Sequence, residues 1–250
     1  MVKDADRGRR LHNGNNPSAT ETGYNALTKR TAADDLGNPW GTSPYQRTFA
    51  WPAAKQLLPD VEDKHVLLAG CGRGDHAEWF LNRKSTVVGI DIAGDAIEIA
   101  RDRYGDNATF RQGALTEASE LLTADADLIL SHLVLSHIES WPPVFTALRE
   151  VAADGATLVV TTVHPQYLAE IGDVQQYAEP AGFTADWGTA DLPTYYRPIS
   201  TAIESIATTG WRINAVREPE PRETFCKYAP DRYAAALERP ELLTLRARAD

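Results

Sequence analysis

Residues 65–80 read HVLLAGCGRGDHAEWF. The first five form an apolar run of strand length, Asp75 onward has the spacing of a helix, and Gly70, Gly72 and Gly74 stand between them. Glycine adopts backbone conformations barred to other residues and lets a ligand approach with no Cβ in the way. Where such a turn joins a strand to a helix, free N–H groups and the positive end of the helix converge on one spot and favour an anionic group. Alone, the turn fits any nucleotide, or a tight turn in which the glycines serve packing only.

Two neighbours narrow the choice. The spelling is G-x-G-x-G, whereas a dinucleotide-binding turn places its third glycine one position later, where this chain has Asp75, a like charge for a pyrophosphate. The next apolar run, TVVGID over 86–91, ends on Asp91, 21 residues beyond Gly70, the distance at which a carboxylate accepts hydrogen bonds from ribose hydroxyls. Together they predict an adenosine that carries an amino acid in place of a diphosphate. A nicotinamide-dependent oxidoreductase is the rival that Asp75 disfavours.

Outward from this unit, strand and helix patterns alternate. Helices are expected over 75–83, 95–104 and 143–152, and strands over 108–112, 127–131 and 156–163. Such alternation implies an α/β domain with a doubly wound, mostly parallel sheet covered on both faces. Residues 164–197 break the rhythm with Pro, Gly and six aromatics and are expected to be an inserted substrate lid. The pattern resumes with a helix over 199–209, ended by Gly210, a strand over 211–216, a short helix near 231–237 and a closing strand over 241–249. Residues 1–23 are polar and are expected to be a disordered or loosely attached tail; 24–250 would be one domain, and the aromatics between Tyr24 and Pro59 suggest a helical N-terminal cover.

The net charge of −10, from 25 basic and 35 acidic residues, argues against a surface that tracks nucleic acid. No apolar stretch approaches the roughly 20 residues needed to cross a bilayer. The basic N-terminus has no apolar segment behind it to make a secretory signal. Cys71 and Cys226 do not form a disulfide framework, and no Cys/His cluster has metal-binding spacing. The expectations are a cytoplasmic protein without a metal, a nucleic-acid partner or a membrane partner; oligomeric state is not legible.

The segments VLLAGCGRG, VVGIDIAGDAIEIAR, FRQGA, ADLILSHLVLSHI and ATLVVTTVHP together resemble the successive motifs of Rossmann-like (class I) S-adenosylmethionine-dependent methyltransferases, in particular the small-molecule branch. RPISTAIESIATTGWRINAVREPEP is similar to that branch's late helix and strand, so the resemblance runs from about Tyr24 to Arg248. It implies a seven-stranded sheet with an antiparallel last strand, S-adenosyl-L-methionine as cofactor and methyl transfer to a small-molecule acceptor. By the same resemblance Gly70, Cys71, Gly72 and Gly74 flank the methionine part, Asp91 holds the ribose and Ile92 packs on the adenine. Ala114 and Leu115 border the adenine edge, and His132 lies near the sulfonium. Leu68 and Ala114 stand where the family usually has acids, which removes contacts worth about 0.5–3 kcal/mol each. Those two positions favour the alternative reading, a non-catalytic adenosine-binding or scaffold protein of the same fold.

A sulfonium methyl is already activated, so transfer needs a positioned nucleophile and a dry pocket, and aligning two reactants supplies about 7–11 kcal/mol. A base is needed only where the acceptor must lose a proton. His164, at the carboxyl end of a strand, is the candidate base or substrate-orienting group, with His137 the second candidate. Packing or capping is the competing role for each imidazole, His132 included. Cys71 reads as a small filler between glycines, and Arg47 as a surface residue. The aromatics of 164–197, with Tyr24, Trp40 and Tyr45, are candidates for an apolar cage around the acceptor.

Overall fold

The computed structural model describes residues 9–10, 17–30, 40–123, 125–187 and 190–250. Arg9–Arg10 (β1) and the helix Pro17–Arg30 (α1) come first, then a π-helical turn, Gln46–Ala50, that runs into Trp51–Lys55 (α2). The central alternation follows as His65–Ala69 (β2), Ala77–Leu81 (α3), Thr86–Asp91 (β3), Gly94–Tyr104 (α4), Ala108–Gln112 (β4), Ala118–Leu121 (α5), Ala126–His132 (β5), Pro142–Glu150 (α6) and Ala152–Val163 (β6). Pro165–Ile171 (α7) and a hairpin of Ala181–Asp186 (β7) and Asp191–Tyr196 (β8) precede Ile199–Ala207 (α8) and Trp211–Arg217 (β9). The chain closes with Glu223–Cys226 (α9), Pro230–Glu238 (α10) and Leu242–Ala249 (β10).

Seven strands form one sheet in the order β4-β3-β2-β5-β6-β10-β9. Pairings from β4 through β6 are parallel, and β10 runs antiparallel to both β6 and β9. The period-two alternation of a strand explains the two layers. Leu67 and Ala69 of β2 and Ile129 of β5 face the layer that holds Val144, Phe145 and Leu148 of α6 and Ile206 of α8. Val66, Leu68, Leu128 and Leu130 face Phe80 of α3 and Ile97 and Ala100 of α4. Each large side chain so buried contributes about 1.5–3 kcal/mol. Chain order reverses between β2 and β5, and ligands of open α/β sheets bind beyond the strand ends at such a point.

One expectation is corrected. From Pro17 onward the supposed tail is helical: α1 starts on proline, whose fixed φ suits a first turn, and buries Leu27 against Trp40, Ala93, Ala96 and Leu192. Its apolar residues are few and Gly23 interrupts them, so the helical period was weak. The rest of that tail, residues 1–8 and 11–16, lies outside the described residues, apart from the Arg9–Arg10 pairing with β7. Within 164–197 the described residues form α7 and the β7–β8 hairpin, which pack Leu168, Phe183, Ala185 and Tyr196 against Val163. Among the described residues no helix is long and apolar enough to cross a membrane, and no group of three or more His, Cys, Asp or Glu has metal-binding geometry. Both cysteines are free thiols.

Candidate active site

A cavity of about 250 Å³ opens beyond the carboxyl ends of the parallel strands. Its floor at one end is the glycine turn. Gly70, Gly72 and Gly74 have φ of 82°, 52° and 71°, in the left-handed region that only glycine enters freely. A Cβ on Gly70 would sit 2.2 Å from Val134 Cγ2, and one on Gly72 would sit 2.8 Å from Trp40 Cζ3. The Gly70 and Cys71 N–H groups donate to the Ile90 carbonyl at 2.8 and 3.0 Å, which fastens the turn to β3.

Asp91, the last residue of β3, is the polar centre of this end. Its Oδ2 accepts from Gly72 N–H at 2.8 Å and its Oδ1 from Ala93 N–H at 2.9 Å. Burial raises its pKa, and the N–H groups of Ala93, Gly72 and Ile92 oppose that rise. A carboxylate has about four lone-pair sites, so each oxygen keeps one for a ligand hydroxyl. Ile92 and, from across the sheet edge, Gly113, Ala114 and Leu115 line the same end. A glycine cradle and an ionisable carboxylate with two spare acceptor sites fit an adenosine ribose and its 5′ substituent.

The cover closes over the turn. Trp40 packs on Gly72 and meets Tyr24 edge-on at 6.0 Å, while the Arg73 guanidinium lies 4.8 Å from its ring centre. Asp75 explains its own place in the motif: Oδ2 accepts from Gly41 N–H at 3.0 Å and Oδ1 from Arg103 at 2.5 Å. Its charge is spent on joining the cover to the turn. Gly74 is corrected from ligand contact to packing, because it lies outside the cavity wall, and a Cβ there would meet Tyr104, Ala100 and Phe110 at 3.2–3.3 Å. Cys71 lines the cavity, and burial, with Asp91 nearby, holds its thiol well above the usual range, so it is no nucleophile.

At the middle of the cavity, Leu133 takes φ of 58°, an unfavourable conformation for a non-glycine residue that sharply turns the chain after β5. His132 Nε2 lies 2.8 Å from Gln46 Oε1. With that amide oxygen as acceptor the proton sits on Nε2, and Nδ1 carries a buried lone pair without a protein partner. Burial, with His76 beside it, pushes the His132 pKa well down. His137 Nδ1 donates to the Pro193 carbonyl at 2.8 Å, and burial lowers its pKa to about 4. It is neutral at pH 7, packed between Tyr24 and Trp187.

His164 is corrected. It lies outside the cavity wall, its Nδ1 accepts from Gln166 N–H at 3.0 Å as the cap of α7, and its Nε2 pairs with Glu218 Oε1 at 3.0 Å. Both ring nitrogens are occupied, and the residue preceding a helix is a natural capping position. Of the expected aromatic cage, Tyr24, Trp40, Tyr45, Tyr167 and Trp187 line the cavity; Phe183 and Tyr196 pack beneath the hairpin. Arg47 is exposed, as expected of a surface residue. Sequence reading missed Gln46, Arg232 and Glu241, which complete the far wall. No local motif marks them, since only the return of β10 beside β6 brings the C-terminal segment to the site.

Comparison with known proteins agrees with this geometry. Residues 67–160 match the family model of the methyltransferase domain. An uncharacterised protein of Haemophilus influenzae is 23% identical over 190 residues, covering 67% of this chain and 75% of that one. The ubiquinone biosynthesis O-methyltransferase of Hahella chejuensis is 30% identical over 104 residues, 40% of this chain and 44% of its own length. In structure, an S-adenosylmethionine-dependent methyltransferase from Mesorhizobium loti superposes with a TM-score of 0.65 over 79% of this chain and 96% of its own, at 24% identity.

Proposed function

We propose that this chain, whose residues 67–160 match the methyltransferase-domain model, is a Rossmann-like S-adenosylmethionine-dependent methyltransferase whose cavity places a small-molecule acceptor against the cofactor's methyl group for in-line transfer. A bound cofactor would supply an electrophilic methyl on sulfur, open to in-line displacement by a lone pair of the acceptor with the electron pair of the carbon–sulfur bond left on sulfur. The protein's own part is positioning. Asp91 accepts the ribose hydroxyls, the Gly70–Gly72 turn admits the amino-acid part at close range, and Ala114 and Leu115 flank the base. Loss of the family's usual acids leaves apolar contact there: Leu68 is buried in the core, and the Ala114 N–H donates to Glu117 Oε2 at 2.9 Å.

The observation that carries the reading is one continuous cavity that joins the Asp91 end to a wall of His132, Tyr45 and Arg232. Its size suits a small molecule. Tyr24, Trp40 and Trp187 cover it and exclude water from the reacting atoms. His132, neutral and lining the cavity, is the side chain we assign to orient the acceptor, in place of His164. His137 keeps its carbonyl bond and shapes the wall. The O-methyltransferase activity of the Hahella relative is consistent with a proton-bearing acceptor atom.

Calorimetric titration with S-adenosylhomocysteine tests the reading. Saturable binding that Asp91→Ala weakens is expected; no binding at millimolar ligand would falsify it.

A further inference from the structure

The far end of the cavity, lined by Tyr45, Tyr167, Arg232 and Glu241, has its own chemistry. These residues come from the position just before the π-helical turn, α7, α10 and the residue before β10, whereas Asp91 ends β3 and Ala114 follows β4 at the other side of the sheet. Arg232 Nε donates to both oxygens of Glu241 at 3.0 Å, and Nη2 donates to Oε2 at 2.8 Å. The guanidinium also lies 4.3 Å from the Tyr45 ring centre. Glu241 is closed off, with 5% of its side chain exposed, while 32% of the Arg232 side chain is open.

A count of donors and acceptors shows what this end lacks. A guanidinium has five N–H donors. Nε–H and one N–H of Nη2 are spent on Glu241, so the other N–H of Nη2 and both of Nη1 are left. Glu241 already accepts three bonds from Arg232, so its own capacity is nearly used. Spare donors exceed spare acceptors, and the complement is an oxygen-rich acceptor group. The ion pair itself is neutral, and the cavity-lining imidazoles His132 and His76 are held neutral by burial. The Nη1–Nη2 edge left over, held in orientation by a Glu241 whose own charge is paired, is a two-pronged donor that suits one planar carboxylate.

We propose that Arg232, held in orientation by Glu241, anchors a carboxylate of the methyl acceptor, so that the acceptor is a small organic acid methylated at an atom other than that carboxylate. The proposal rests on the methyltransferase reading above. The carboxylate is the handle, and its place at the far wall turns the rest of the molecule toward His132 and the cofactor end.

The test uses the full chain saturated with S-adenosylhomocysteine and two probes of equal shape, 4-fluorobenzoate and 4-fluorobenzamide, followed by fluorine NMR. Benzoate is expected to bind at least about tenfold more tightly than the neutral amide, a difference of about 1.4 kcal/mol. The double variant Arg232→Met/Glu241→Gln, which leaves no unpaired charge, should erase that preference while it retains S-adenosylhomocysteine affinity. If the double variant does not fold, Arg232→Lys, which keeps the charge but loses the fork, should reduce the preference severalfold. Equal binding of the two probes, failure of both to bind at millimolar concentration, or a preference that survives these substitutions overturns the anchor. S-adenosylhomocysteine binding without a benzoate preference would overturn the anchor alone, and absence of S-adenosylhomocysteine binding to the unaltered chain would overturn the methyltransferase reading itself.

Discussion

Asp91 ends β3 with one backbone N–H on each carboxylate oxygen, which leaves a site on each for the proposed ribose. Two N–H groups already hold it, so the side chain is oriented before any ligand arrives, and little ordering remains to be done on binding. Asp91→Ala removes this charged acceptor and releases the Gly72 and Ala93 N–H groups together. S-adenosylhomocysteine affinity should fall by about 1.5–3 kcal/mol in calorimetry, the usual range for a hydrogen bond to a charged group, while the exposed Arg47→Ala leaves it unchanged. Because burial raises the Asp91 pKa, its carboxylate protonates at a pH above the ordinary aspartate range. Affinity measured on acidification should therefore decline before a solvent-exposed aspartate would titrate. Gly70→Ala imposes both a strained φ and a contact with Val134, and should abolish ligand binding along with a fall in melting temperature.

At the scale of elements, the loop from Leu135 to Glu139 is positioned by a buried cation that, among the described residues, has no carboxylate beside it. Arg197, 5% exposed at the end of β8, donates to the carbonyls of Leu135, Ile138 and Glu139 and covers the Trp141 ring at 4.1 Å. Burial alone lowers its pKa to about 9. Arg197→Met leaves those carbonyls without donors at the base of the wall that carries His137. Chemical denaturation should show a loss of about 2–3 kcal/mol, and an unchanged midpoint would show that the clamp is dispensable. This element also shows where sequence reading stops. The strands at 65–69, 86–91 and 108–112 are bounded in the structure as their patterns predict; the first two are largely apolar runs closed by turn residues, and the third is a short edge strand that buries Phe110. The glycine turn and Asp91 were legible for the same reason: local geometry dictates residue type. Arg197, Arg232 and Glu241 were not: the carbonyls that Arg197 clamps lie 58 to 62 positions away, and only the return of β10 beside β6 carries the Arg232–Glu241 pair to the cavity. His164 misled because a strand end in the right half of a sheet does not fix side-chain direction, and the following Pro165 committed its ring to capping α7.

Across the whole molecule, burial of neutral imidazoles links stability to pH. His76 and His137 each have a pKa near 4 in the fold, against about 6.5 when unfolded. The unfolded chain binds more protons between those values, so stability is fully present above about pH 6.5 and is lost as pH falls toward 4. Each pKa unit corresponds to about 1.4 kcal/mol, which sets an upper limit on the order of 3 kcal/mol per histidine. Denaturation midpoints followed from pH 7 to pH 4 should fall steadily, and His137→Phe, which keeps the ring contacts with Tyr24 and Trp187, should flatten part of that slope. The same architecture divides the work of the cavity: the parallel half of the sheet presents Asp91 and the glycine turn, and the antiparallel return of β10 delivers Glu241 and its Arg232 to the other end. A crystal structure of the chain with S-adenosylhomocysteine tests this division most directly. The ribose hydroxyls should lie within hydrogen-bonding distance of both Asp91 oxygens, with the sulfur directed toward His132 and the Arg232 end left open. Ligand density seated on Arg232 and Glu241, with Asp91 uncontacted, would contradict it.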